Sequence, residues 1–204
     1  YYSLFAWIIL SIAVLLVLLI FKPLTYGRHI QKKGFFLNNR LGWVLMELPT
    51  VILIPIFFFS GSLGYNLVTL CFISLYMLHY CNRVFIFPFR LRTKGKKIPV
   101  LIVFSAILFN ICNTYFIGYY FGYVTSSYDL TWFYSPYFII GILLFLTGAY
   151  INHQSDAILI NLRKEDEKGY KIPFGGLFKY VSCPNHLGEI IEWIGFAILT
   201  CSLP

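Results

Sequence analysis

The sequence is poor in charged residues. Asp, Glu, Lys and Arg make up only 12% of its 204 residues, whereas 59% are hydrophobic and 20% are aromatic. The mean hydropathy of +0.75 lies far outside the range of ordinary soluble domains. The lack of charge therefore excludes a soluble globular domain and indicates that the chain lies within a lipid bilayer.

The sequence also lacks a cysteine framework, an internal repeat and any low-complexity segment. Its five cysteines, at positions 71, 81, 112, 183 and 201, form no CxxC pair and no regular spacing. Isolated cysteines of this kind fill apolar interiors, which argues against a disulfide scaffold or a zinc site. We therefore predict a single domain over residues 1–204 and no metal.

Long hydrophobic runs are what the sequence has in abundance. Each is long enough to cross a bilayer as an α-helix, which takes about 17 to 25 residues. Connecting segments rich in Gly, Pro, Asn and charge separate the runs. We expect an all-α, polytopic transmembrane bundle with six visible helices at roughly 3–21, 42–60, 66–87, 98–123, 134–160 and 187–203.

The charges are distributed unevenly among the connections. All 16 Lys and Arg residues fall in or beside the first, third and fifth connections, and Asp129 is the only charge in the second and fourth. The positive-inside rule then makes the odd connections cytosolic and places the N-terminus on the non-cytosolic side.

This topology also accounts for most of the net charge of +8 without a nucleic acid. We expect a monomer whose partners are membrane lipids and an apolar substrate from the bilayer. The basic connections also leave open the binding of a small polyanionic molecule.

Glu47 is an ionisable residue about two turns into the second predicted span. A charged group at membrane depth costs several kcal/mol unless it is paired or wetted. Pro49 follows closely and leaves the Leu45 carbonyl without its usual donor, which permits a kink. Glu47 is either held neutral near an interface or kept protonated to donate to a ligand oxygen. We favour the second because of the cost of its position.

The motif LHYCNR places polar groups near the cytosolic end of the third span. Tyr80 and Arg83 are three residues apart and share a helical face. A tyrosine at an interface is more often an aromatic-belt residue, and Arg83 could snorkel to the headgroups. The motif alone therefore leaves both readings open.

A polar stripe marks the end of the fifth span. At about 100° per residue, Asn152, Asp156 and Arg163 lie on one helical face. Tyr170 and Asn185 follow in the next connection. Together these residues offer acceptors for amide and hydroxyl groups and donors for phosphate.

The last connection leads into the sixth helix. Gly175 and Gly176 permit a tight backbone turn, and Pro184 suits the first turn of a helix. Glu189 then lies early in that helix, where the macrodipole favours a carboxylate. A capped helix after a solvated loop would look the same, and no GxGxxG follows a strand, so the pattern excludes a Rossmann site.

Taken together, these motifs resemble the steroid 5α-reductase family. The resemblance runs over nearly the whole chain and is densest from Asn152 to Ala197. The segments that carry it are YGRH, MELP, LHYCNR, GYY, NHQSD, GGLF and LGEIIEWIGFA.

The resemblance implies a polytopic enzyme of the endoplasmic reticulum membrane, or of the cell membrane in a prokaryote. Such an enzyme uses NADPH to reduce the 4,5 double bond of a 3-oxo-4-ene steroid, with hydride going to C5 and a proton to C4. Glu47 and Tyr80 would then hydrogen-bond the C3 carbonyl as the catalytic residues. The implied cofactor site consists of Arg83, Asn152, Asp156, Arg163, Tyr170, Asn185 and Glu189.

Two departures from the family pattern bear on these expectations. Met46 stands where some members have Gln, which removes a donor near the carbonyl and leaves the steroid preference open. The family also continues past SLP into a seventh helix and a tail that complete the nucleotide pocket. We expect those segments to be missing from a chain that stops at Pro204.

Four other functions compete with this one. A trans-2-enoyl-CoA reductase of fatty acid elongation would use the same cofactor, and a membrane methyltransferase has a similar C-terminal design. A methyltransferase would leave Glu47 and Tyr80 unexplained. A non-catalytic scaffold or a transporter would have no reason to keep Glu47, Asp156 and Arg163 together.

Overall fold

The computed structural model describes residues 2–20, 34–63, 65–92, 95–125, 128–162 and 171–201, and these are mainly helical. This confirms the all-α polytopic class. The helices are α1 (Tyr2–Ile20), α2 (Asn39–Phe59), α3 (Leu67–Cys81), α4 (Phe87–Arg90), α5 (Val100–Tyr119), α6 (Pro136–Asn161) and α7 (Pro184–Thr200).

Four helical stretches are long and apolar enough to cross a membrane, which makes the chain an integral membrane protein. The stretch Leu67–Arg90 joins α3 and α4 through a π-helical segment, and Val100–Val124 joins α5 to a second one. The other two are Asn39–Phe59 and Pro136–Asn161. Helix α7, with 17 residues, and the apolar part of α1 at Phe5–Val14 are shorter. The side on which the N-terminus lies stays a prediction.

A short antiparallel ribbon adds to the helical plan. Strands β1 (Phe36–Asn38) and β2 (Lys97–Pro99) pair with Leu37 opposite Ile98. The residue before a proline favours extended backbone, which is why Ile98 lies in a strand and α5 begins at Val100. The ribbon ties the start of α2 to the start of α5.

Helices α6 and α7 pack with their backbones in contact because glycines face each other. A β-carbon built on Gly148 would lie 2.5 Å from the carbonyl oxygen of Gly188, and one built on Gly195 would lie 2.7 Å from that of Gly141. Both distances are too short for a real side chain. The close approach places the polar end of α6 beside the first turns of α7.

An aromatic core fills the space between these helices and α3 and α5. Phe72 and Tyr76 of α3 are fully buried, as is Phe121 in the π-helical extension of α5. Phe145 of α6 and Phe196 of α7 complete the cluster. Aromatic side chains of this size bury large apolar areas, so the core fixes the relative positions of the four helices.

The glycine contact predicts that a larger residue destabilises the protein at Gly148 but not at the neighbouring position. We expect Gly148→Val to lower the apparent melting temperature sharply, because overpacking a tight contact costs about 1–3 kcal/mol or more. Thr147→Val, at the neighbouring exposed position, is the matched control and should melt like the parent. Melting in lipid nanodiscs, followed by tryptophan fluorescence, measures both; equal melting of the two variants would contradict the packing argument.

Candidate functional site

Arg83 is the electrostatic centre of the site. It lies in the π-helical segment Asn82–Ile86, and only 8% of the residue is exposed. Its guanidinium lies over the rings of Trp43 and Phe87, with its central carbon 4.9 and 4.5 Å from their centroids. Its Nη1 lies 3.7 Å from Asp156 Oδ2 and 3.4 Å from Glu189 Oε1. A buried cation is thus stabilised by two carboxylates from two other helices.

The predicted polar stripe of α6 faces α7. Asn152 is 2% exposed, and its Nδ2 donates a hydrogen bond of 3.1 Å to the backbone carbonyl of Asn185. Asp156, one turn later, is also buried and forms the ion pair with Arg83. The glycine packing of α6 against α7 makes these contacts possible, because Asn152 follows Gly148 by one turn.

A cleft of about 620 Å³ opens beside these residues. Its lining includes Arg83, Asp156 and Asn185 from the predicted site. Its remaining lining includes the basic residues Arg92, Lys96 and Lys171, from the third and fifth connections. A cleft of this size with several cations and a few amide and carboxylate groups suits a phosphate-bearing cofactor.

The structure therefore brings five of the seven predicted cofactor residues together. Arg83, Asp156 and Asn185 line the cleft, while Asn152 and Glu189 hold those residues through a hydrogen bond and an ion pair. The predicted residues Arg163 and Tyr170 lie outside the described residues.

The turn of α2 that carries Glu47 is held by side chains. Thr50 Oγ1 donates a hydrogen bond of 2.6 Å to the Glu47 backbone carbonyl. Asn110 of α5 donates from Nδ2 to the Met46 carbonyl at 2.7 Å and to Glu47 Oε2 at 3.2 Å. Pro49 lies inside the same helix. Because Pro49 has no backbone N–H, this part of α2 lacks one backbone hydrogen bond, and the side-chain contacts add hydrogen bonds beside the gap.

Tyr80 lies in the buried aromatic core. Its ring centroid is 4.6 Å from that of Tyr76 and 5.7 Å from that of Trp193. Behind it, the Tyr76 hydroxyl is hydrogen-bonded to the Thr114 hydroxyl at 3.4 Å. The two predicted catalytic residues come from different helices, Glu47 from α2 and Tyr80 from α3.

A second, apolar cavity of about 290 Å³ adjoins Tyr80. Its walls include Phe109 of α5 and Trp193 and Phe196 of α7. Its surface is mainly aromatic and aliphatic, which suits a flat, apolar molecule. Tyr80 and Trp193 line this cavity, and Arg83, which lines the larger cleft, follows Tyr80 by three residues.

A buried pair between His79 and Glu192 is a feature that the sequence reasoning missed. The His79 Nδ1 and Glu192 Oε1 atoms are 3.0 Å apart, and both residues are buried. Glu192 lies three residues after Glu189 in α7. Two ionisable groups at membrane depth in so apolar a chain need partners. That requirement could have predicted that His79 and Glu192 pair with each other.

The polar groups of α5 were missed as well. Asn110 and Thr114 are both buried. Asn110 is hydrogen-bonded to Glu47, and Thr114 is hydrogen-bonded to Tyr76, whose ring packs on Tyr80. Their spacing of four residues within an apolar span places them on one helical face. This spacing was the signal that could have predicted a polar face turned toward the interior of the bundle.

Comparison with known proteins confirms the resemblance to the steroid 5α-reductase family. The family model described as 3-oxo-5-alpha-steroid 4-dehydrogenase matches residues 96–204. A steroid 5-alpha-reductase of Arabidopsis thaliana is 39% identical over 193 residues, covering 91% of this chain and 73% of the relative. The 3-oxo-5-alpha-steroid 4-dehydrogenase 1 of Homo sapiens is 39% identical over 182 residues, covering 87% of this chain and 69% of the relative.

A steroid 5-alpha-reductase of Gossypium hirsutum is 38% identical over 188 residues, covering 90% of this chain and 73% of the relative. High identity thus extends over most of the chain in relatives from plants and from a mammal. The protein is an oxidoreductase and belongs to the 3-oxo-5-alpha-steroid 4-dehydrogenase family.

Proposed function

We propose that this protein reduces the 4,5 double bond of a 3-oxo-4-ene steroid to the 5α-product, in the endoplasmic reticulum membrane and with NADPH as cofactor. The names of its relatives support the reaction class. The single observation that carries the proposal is the apolar cavity that Tyr80 lines. In this proposal the protein acts as a monomer, and its lipid-soluble substrate enters from the bilayer.

Tyr80 and Glu47 have the chemistry that the C3 carbonyl requires. Reduction at C5 shifts negative charge onto the C3 oxygen, because the enone is conjugated. A phenol and a protonated carboxyl are both donors, and donors aimed at developing charge in a dry site lower the barrier. Tyr76 and Thr114 support Tyr80 from behind, so its ring need not reorganise during the reaction. The C4 carbon receives a proton to complete the reduction.

The cationic cleft is the proposed cofactor site. NADPH, when bound, supplies the hydride for C5. Arg83 provides positive charge and a planar face at the inner end of the cleft, between Asp156 and Glu189. Asn185 offers amide groups at the start of α7. In the same proposal Asn152 and Tyr170 complete the wall, and Arg163 binds phosphate.

Removing either donor should slow turnover. We expect Tyr80→Phe and Glu47→Gln to lower kcat about 100-fold or more, as loss of one oxyanion donor does. The matched control is Tyr134→Phe, because Tyr134 is highly exposed. The assay is NADPH oxidation by the full-length protein in lipid, with testosterone or progesterone and mass spectrometry of the product.

The same assay with a trans-2-enoyl-CoA separates the two reductase functions. A 5α-reduced steroid supports the proposal. Turnover of the enoyl-CoA alone would overturn it in favour of the elongation reaction. An unchanged kcat in both donor variants would contradict the proposed roles of Tyr80 and Glu47.

The cofactor site predicts a different kinetic effect. Arg83→Lys keeps a positive charge but loses the planar fork that stacks on Trp43 and Phe87. We expect this variant, and also Arg163→Ala, to weaken NADPH binding about tenfold, which corresponds to roughly 1.4 kcal/mol. Quenching of tryptophan fluorescence measures the Kd without turnover. Arg90→Lys, at an exposed position, should bind like the parent, and equal affinities of all variants would contradict the site.

A further inference from the structure

Helix α5 reaches across to the turn of α2 that carries the proposed acid. Asn110 is 6% exposed, lies midway along α5, and has two acceptors within reach of one nitrogen. Nδ2 is 2.7 Å from the Met46 carbonyl oxygen and 3.2 Å from Glu47 Oε2. From this geometry we propose that Asn110 is a positioning residue that orients the Glu47 carboxyl toward the substrate. The inference rests on the proposed function of Glu47.

The amide nitrogen is fully committed by these contacts. An Asn side chain has two N–H donors on Nδ2, and here one meets the backbone and the other meets the side chain of adjacent residues on α2. The Met46 carbonyl can only accept, so turning the amide over would place two oxygens against each other. The orientation of Asn110 is thereby determined by Met46, and Glu47 Oε2 has to adapt to it.

The position of the Glu47 proton follows from this contact. Nδ2 has no lone pair to accept a hydrogen bond, so Oε2 must be the acceptor. In a protonated Glu47 the contact favours the hydrogen on Oε1, because the carbonyl-type oxygen is the better acceptor. Asn110 thus leaves Oε1 as the atom that donates to the substrate oxygen, and it prevents the carboxyl from presenting two equivalent oxygens.

The local backbone explains why the turn needs a partner from another helix. Pro49 has no N–H for the Leu45 carbonyl, so the turn before it is one hydrogen bond short. Thr50 and Asn110 supply side-chain donors to the next two carbonyls, those of Glu47 and Met46. The backbone that carries Glu47 is thereby held from α5, while its side chain is aligned by the same amide.

The test is a double-mutant cycle between positions 110 and 47 in the full-length protein in lipid. Asn110→Leu removes both donors at similar volume, and we expect it to lower kcat roughly 10- to 100-fold, with the NADPH Kd unchanged. In the Glu47→Gln background, Asn110→Leu should cause no further loss of kcat, because the two residues act as one unit. A purely structural role of Asn110 would lower kcat by the same factor in both backgrounds.

A second substitution at the same position tests the inference if Asn110→Leu does not fold. Asn110→Asp has nearly the same shape but replaces the donor amide by an acceptor, and it should lower kcat alone. Combined with Glu47→Gln, whose new amide can donate to the new carboxylate, it should lower kcat by a smaller factor than it does alone, while the contact with the Met46 carbonyl stays lost in both backgrounds. Ser105→Ala, at an exposed position of α5 whose hydroxyl donates to the Ile102 carbonyl of the same helix, is the control and should leave kcat unchanged.

The outcomes distinguish a failure of the positioning role of Asn110 from a failure of the proposed function. If Glu47→Gln slows turnover but both Asn110 variants keep the parental kcat, the positioning role is wrong and the proposed function stands. Equal losses from Asn110→Leu in the two backgrounds would also overturn the positioning role. If Glu47→Gln itself keeps the parental kcat, the proposed acid fails and the inference fails with it.

Discussion

Every ionisable group that lies at membrane depth has to find its partner inside the bundle, and this constraint organises the protein. Helix α3 carries His79, and Arg83 follows four residues later in the π-helical segment. Helix α7 carries Glu189 and Glu192, which are three residues apart. The result is two buried contacts between the same two helices, a hydrogen-bonded histidine and a paired arginine. Asp156 then ties α6 into the second of these.

The site has two parts. Arg83 lines a large cleft with cations from the connections, and Tyr80, three residues earlier, lines a smaller apolar cavity. Tyr80 and Trp193 are in contact with each other and with His79. In the proposed function, the cleft binds the charged cofactor and the cavity binds the apolar substrate.

The sequence predicted the helical class and the approximate spans, because hydropathy acts locally, whereas the grouping of Arg83 with Asp156 and Glu189 came from the resemblance to the family. Partners on different spans were harder to predict. Nothing near Glu192 in the sequence points to His79, and nothing near Glu47 points to Asn110, because both contacts depend on which helices become neighbours. The β1–β2 ribbon was missed for a similar reason: its three-residue strands carry too little pattern to be recognised without their pairing.

The glycine seam between α6 and α7 has a mechanical consequence. Because the two backbones are in contact at four glycines, the pair cannot slide or part without losing these contacts. The seam therefore holds Asn152 and Asp156 of one helix in register with Trp193 of the other. A passage that admits a bulky lipid has to form elsewhere, where side chains rather than backbones meet and rotamer changes can widen a gap.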